Sequence, residues 1–240
     1  MALGMLASLT LSLATPIFGL ALSLTPVAMP NVALSPLAVD AQEPTLQSSD
    51  GNDTEEADAL EEEAYDKAMR KRVELTKWHR TLGIATWGAM ATTVILGTIQ
   101  YYNLYGFGAG QDSNPCVTGD AIFGQSQCSG TPWPHALSAG LTAGLYYTTF
   151  TLSLLMPDPD DASEGDSEYA RTLRTHKILR WVHFSGMAAQ IVLGVTVANA
   201  ESFGLDRAND YGTLQALSTV HLAIGLITLG AMTWAGLLML

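Results

Sequence analysis

Four stretches of this chain, 81–111, 121–157, 181–200 and 211–240, contain no Asp, Glu, Lys or Arg. Each holds an apolar core of about 20 residues, the length a helix needs to cross the hydrocarbon of a bilayer. Lipid offers the backbone no hydrogen-bond partner, so a segment that enters it must satisfy its own amides as a helix. A soluble four-helix protein would alternate polar and apolar faces along each helix. These segments do not. The pattern predicts an all-α membrane protein, a four-helix transmembrane bundle with helices near 80–104, 135–156, 177–200 and 214–239.

The charges are concentrated between these stretches. Of 23 acids, eleven lie between Glu43 and Glu74 and six between Asp158 and Glu168. Runs such as "DGNDTEEADALEEEAYD" are usually solvated, mobile linkers, and the rival reading is a docking site for a basic electron carrier. Lys67, Arg70, Lys71, Arg72, Lys77 and Arg80 precede the first helix, and Arg171, Arg174, Lys177 and Arg180 precede the third. Only Arg207 falls on the opposite side. The positive-inside tendency makes the ten-cation face cytoplasmic. Cys116 and Cys128 both lie in the cation-free 105–133 loop, on the oxidising side, where a disulfide is expected.

Residues 1–41 are apolar, and "VDAQ" at 39–42 resembles a small-residue cleavage site, but a cationic start is missing. Cleavage there would put the first cationic cluster outside, against the charge count. The segment is therefore read as a signal peptide or an extra membrane helix. The domain reading is 1–41 as that segment, 42–76 as an acidic linker and the start of a helix, and 77–240 as the membrane domain.

An internal repeat organises that domain. "HRTLGIATWGAMATTVILG" (79–97) aligns without gaps on "HKILRWVHFSGMAAQIVLG" (176–194), and "HALSAGLTAG" (135–144) aligns on "HLAIGLITLG" (221–230). The chain reads as a duplicated helical hairpin with one His on each helix. Alternate helices run in the same direction, so His79 and His176 share one depth and His135 and His221 share another. Ionisable side chains in a membrane are rare, face the bundle interior and mark function. Two imidazoles facing across a bundle are what an iron porphyrin needs for axial ligation. Gly97 lies 18 residues after His79, about five turns, on the same face, and Gly194 has the same relation to His176. Both are expected near the outer His level, leaving room for a flat macrocycle.

His183 has no repeat partner; its counterpart is Thr86. It lies two turns beyond His176 on the same face and rivals it as the inner ligand. Arg80 and Lys177 follow the inner histidines, where they would pair with propionates if they do more than set topology. Trp78, Trp87, Trp133, Tyr101 and Tyr102 match an aromatic belt. Zinc fits less well, because two imidazoles per level leave a tetrahedral site short of ligands.

With "WHRTLG" at His79, "WPHALS" at His135, "THKILRWVH" at His176 or His183 and "VHLAIG" at His221, the sequence resembles the cytochrome b561 superfamily of transmembrane di-haem cytochromes over about residues 77–240. The resemblance implies a core in which the first and third helices share one haem and the second and fourth share the other. It departs from that family in its long first loop with Cys116 and Cys128, in its missing flanking helices, and in lacking an ascorbate-site pattern. Two haem b groups per chain are expected, and without Cys-x-x-Cys-His no covalent attachment is.

The expected function is electron transfer across a membrane, read as a bacterial inner membrane. The donor would be a quinol or other reductant and the acceptor a redox partner on the opposite face. Lipid, a larger complex or a homodimer complete the expected partners; nucleic acid is not among them. A cofactor-free membrane anchor or assembly subunit is the alternative. A proton or ion transporter ranks behind both, since the helices lack internal acids.

Overall fold

The computed structural model describes residues 51–128 and 132–239. Residues 1–41, read above as signal peptide or membrane helix, and the acidic residues before 51 lie outside them. All regular structure among the described residues is helical. The elements are α1 (Gly51–Tyr105), a short helix α2 (Pro115–Thr118), α3 (Trp133–Leu155), α4 (Glu168–Ala198) and α5 (Tyr211–Leu237). By length and composition α1, α4 and α5 can each cross a membrane. Helix α3 is uncharged over its 23 residues, but Thr, Ser, Gly and Tyr dilute its apolar character.

Helix α1 runs for 55 residues, about 80 Å at 1.5 Å per residue. That far exceeds the roughly 30 Å of bilayer hydrocarbon. No proline interrupts the chain between Pro44 and Pro115, so nothing stops the helix. The acidic region 42–76, expected as a linker and the start of a helix, is helical from Gly51 onward. Ala, Leu and Glu favour that state, and Asp66 pairs with Arg70 one turn on. Its side chains from Glu55 to Lys67 are exposed, as a solvated run should be.

The other boundaries follow local chemistry. Pro132 and Pro134 open α3, and Pro157 ends it by forcing Met156 into an extended conformation. Ser167 caps α4 by accepting the Ala170 amide at 3.0 Å.

Helix α1 packs along α3 and along α5, and α4 packs along α5. Threonines join the first pair: Thr86 meets Thr149 at 3.1 Å and Thr93 meets Thr142 at 2.8 Å, each hydroxyl group buried. Such interhelical bonds contribute about 0.6 kcal/mol each in a membrane. In the second pair Gly186 lies against Thr228 and Gly225 against Gln190. The backbones of α3 and α4 stay apart. Rings fill that seam instead, with Phe150 stacked on Phe184 at 4.6 Å and Trp181 edge-on to both.

Two loops are fastened to the helices. Cys116 and Cys128 form a disulfide. Fully buried Asn103 donates to the Ile122 carbonyl and accepts its amide, and Gln100 donates to the Gln127 carbonyl. At the other end, Asp158 in the α3–α4 connector receives Arg72 from the α1 extension and Lys177 from α4. Partial burial alone would raise the Asp158 carboxyl, but the Ala162 amide, Lys177 and Arg72 outweigh it and hold the group below the usual carboxylate range. A carboxyl depressed in the folded state stabilises that state above its unfolded value, about pH 4, and this contribution fades as pH falls through the folded value. Asp158→Asn is expected to cost about 1 kcal/mol at pH 7. In thermal melts, the margin of wild type over the variant shrinks as pH drops from about 5 towards 3; equal midpoints at pH 7 would show that the latch contributes nothing.

Candidate functional site

Four of the five histidines meet in two pairs. His79 on α1 faces His176 on α4 with ring centroids 6.3 Å apart and planes crossed at 83°. His135 on α3 faces His221 on α5 at 6.1 Å and 90°. Each pair thus joins helices of different hairpins, one pair towards each end of the bundle. The eighteen residues between His79 and Gly97, which abuts His135, span about 27 Å along α1.

Hydrogen bonds fix how most of these rings present themselves. His79 Nδ1 lies 3.1 Å from the Thr149 carbonyl oxygen, His135 Nδ1 3.2 Å from that of Thr93, and His176 Nδ1 2.9 Å from that of Ala235. A carbonyl oxygen only accepts, so Nδ1 must carry the proton in each case. In a neutral imidazole Nε2 is then left with its lone pair free. This is the second-shell arrangement that orients a metal-binding histidine. The bonds of His79 and His176 also fall at the repeat offsets, since Thr149 and Ala235 are 86 residues apart. His221 breaks the pattern: its Nδ1 is buried without a partner among the described residues, while its carbonyl accepts from Gln190 Nε2 at 2.6 Å.

The glycines have a more specific neighbour than the sequence implied. A Cβ on Gly97 would come within 2.8 Å of His135 Cε1, and one on Gly194 within 3.2 Å of His221 Cε1. Both sit at the outer level as expected, but what they clear is the imidazole ring itself.

Each pair borders a cavity. The inner one, about 330 Å³, is lined by His79, His176, Arg80, Arg180, Tyr146 and His183 among others. The outer one, about 460 Å³, includes His135, His221, Gly97, Gly194 and Arg207 in its wall. Both volumes fall in the range of small-molecule and cofactor sites, about 300–1,000 Å³. Among the described residues no three of His, Cys, Asp and Glu gather at one point. An ion held here would draw on two protein ligands per level and need its remaining ligands from a cofactor.

Two expectations change. Lys177 is absent from the cavity wall; its ammonium bonds Asp158 at 3.2 Å and the Ser163 hydroxyl at 2.7 Å. Arg180 takes its place, with a buried Nε that has no partner among the described residues. The signal was present in the spacing: Arg180 is four residues after His176 and shares its face, whereas Lys177 is turned about 100° away. His183 is not paired with another imidazole. Its Nδ1 is 2.7 Å from the Tyr146 hydroxyl, and it is His176 that faces His79. Sequence reasoning also passed over Arg207 as a lone exception in the charge count and missed Tyr146 altogether. Neither carries a local motif, and only the packing of distant helices brings them to the cavities.

No family model, curated protein or solved structure matches the chain.

The glycine contacts give a graded expectation. Gly97→Ala should cost about 1–3 kcal/mol, because His135 is pinned by its carbonyl partner and cannot retreat freely. Gly194→Ala, with the longer approach to a ring whose Nδ1 has no hydrogen bond, should cost less than about 1 kcal/mol. Thermal unfolding of the two variants in detergent checks this ranking; the reverse order would refute the account of the glycines.

Proposed function

We propose that this chain is a b-type cytochrome with two haems, one at each histidine level, which conducts electrons across a membrane. The observation that supports this reading most is the spacing of the rings. An iron between two imidazoles lies about 2 Å from each nitrogen, and each ring centre lies roughly 1 Å further out, so the centroids should be about 6 Å apart. The pairs stand at 6.3 and 6.1 Å. Two imidazoles that merely filled space would have no reason to adopt this separation twice, with Nδ1 of His79, His135 and His176 committed to backbone carbonyls.

The residues have distinct tasks under this reading. His79 and His176 would hold the inner haem, and His135 and His221 the outer one. Arg80 and Arg180 at the inner cavity, and Arg207 at the outer, supply positive charge for propionates. The threonine and alanine carbonyls orient the rings. Both cysteines are consumed by their disulfide, which favours non-covalent b-type binding. Haem, when bound, supplies reversible one-electron chemistry, while the protein sets position, access and potential.

The wider setting belongs to the same proposal. The offsets shared by the histidines, their carbonyl partners and the glycines favour a duplicated hairpin forming a four-helix membrane bundle. The ten cations at the inner end favour a cytoplasmic inner face, as in a bacterial inner membrane. A quinol or other reductant and a redox partner at the opposite face would then be donor and acceptor. The likeness to the cytochrome b561 superfamily rests on the histidine motifs alone.

Purified protein from haem-replete cells should show the reduced-minus-oxidised spectrum of bis-His haem b, with about two haems per chain by pyridine haemochrome assay. His135→Ala and His79→Ala should each lower the count to about one. The outer haem, whose His221 lacks a fixed tautomer, should be released first under mild denaturation. A colourless protein, or a count unaffected by either substitution, would overturn the proposal.

A further inference from the structure

The two hairpins treat their outer histidines differently. In the first, His135 Nδ1 reaches the Thr93 carbonyl of α1 at 3.2 Å. The repeat offsets put Gln190 in the place of Thr93 and His221 in the place of His135, so the Gln190 carbonyl of α4 is the acceptor that the repeat provides for His221. His221 does not use it. Its Nδ1 is buried without a partner among the described residues. The ring also stands further off its neighbouring helix. A Cβ on Gly97 would lie 3.1 Å from His135 Nδ1, whereas one on Gly194 would lie 3.9 Å from His221 Nδ1.

The difference traces to one side chain. Thr93 is short, and its hydroxyl pairs with that of Thr142 at 2.8 Å. Gln190 is long enough to cross to α5, where its Nε2 donates to the His221 carbonyl at 2.6 Å. Gly225 makes room for it, since a Cβ there would lie 3.3 Å from Gln190 Oε1. The first hairpin has Ala139 in the place of Gly225, so the longer residue on one helix goes with the smaller residue on the other. Gln190 thus fastens the backbone of His221 and leaves its ring unfastened. Gln190, Gly225 and His221 all line the outer cavity. A buried N–H without an acceptor costs its full desolvation. The His221 ring therefore favours the tautomer with its proton on Nε2, the nitrogen that His79, His135 and His176 leave free.

We propose that Gln190 is the positioning residue of the outer level. By holding His221 through its carbonyl, it keeps the ring off the acceptor that the repeat provides and leaves one of the two outer imidazoles with its proton unfixed. The consequence for a bound metal rests on the electron-transfer reading. A ligating histidine whose Nδ1–H is bonded is the more basic donor and favours the oxidised metal. His221 is then the weaker donor of the outer pair, and Gln190 makes it so. The tautomer itself needs no cofactor, only the packing of α4 on α5.

The test uses Gln190→Thr, alone and together with Gly225→Ala, which installs on the second hairpin the pair that the first one carries. In redox titrations of the detergent-purified holoprotein, the outer haem is recognised by its loss in His135→Ala. In both Gln190 variants its potential should fall by about 59 mV, a tenfold step for one electron and the lower end of what a partner behind the ligand contributes. The inner haem should not move. Nitrogen NMR of the reduced, histidine-labelled protein should show a hydrogen-bonded Nδ1–H at His221 in the variants and none in wild type. An unchanged outer potential, or equal shifts at both levels, overturns the proposal. So does a wild-type His221 whose Nδ1–H is already bonded like that of His135, a result that needs no variant to fold. A haem-free protein in which the substitution still moves the His221 proton from Nε2 to Nδ1 would sustain the role of Gln190 while removing the cytochrome reading, so the two failures are distinguishable.

Discussion

An imidazole inside a bilayer has to place its N–H on an acceptor, because no water is there to take it. In this chain the acceptor is a backbone carbonyl of the neighbouring helix, reached by His79, His135 and His176 alike. That single bond settles several matters together. It satisfies the donor, chooses the tautomer, and ties α1 to α3 and α4 to α5. The facing of His79 and His176 and the clearance of Gly97 from His135 accord with it. His221, whose Nδ1 has no such partner among the described residues, marks where the arrangement is least constrained.

The two halves of the bundle share contacts at fixed offsets and differ where chemistry would need a difference. One seam is closed by direct helix packing and the Trp87–Thr233 bond, and the other is filled by aromatic rings with a Tyr–His pair on its inner side. A strictly symmetric bundle would offer two equivalent sides to any ligand. Outside the hydrocarbon, the disulfide loop and the Asp158 latch fasten the connections at opposite ends, so that the helix register on which the ring pairs depend is not left to lipid packing alone.

Much of this was legible in the sequence because a helix in lipid is a ruler. Absence of charge marked α1, α4 and α5, the three helices long and apolar enough to cross a membrane, and counting residues at 1.5 Å each placed the histidines on two levels. The Cys116–Cys128 bond followed from their shared, cation-free loop. Other points were hidden for definable reasons. The acidic segment carried the composition of a disordered run, and only its continuity with α1, free of proline, made it helix. Lys177 was chosen for adjacency to His176, although adjacent residues on a helix point in different directions. Gly97 and Gly194 were placed correctly, but which atom they cleared depended on a rotamer of another helix. Tyr146 gave no signal, since a tyrosine in an apolar run is ordinary until its hydroxyl is seen to meet His183.

The most direct test of the central claim is low-temperature electron paramagnetic resonance of the oxidised protein. Ring planes crossed at 83° and 90° predict ferric iron that is low-spin and strongly anisotropic at both levels, the signature of perpendicular axial imidazoles. A high-spin signal or no iron signal would contradict the claim that these two histidine pairs are built to grip a metal, and a rhombic low-spin signal would contradict the crossed ring planes.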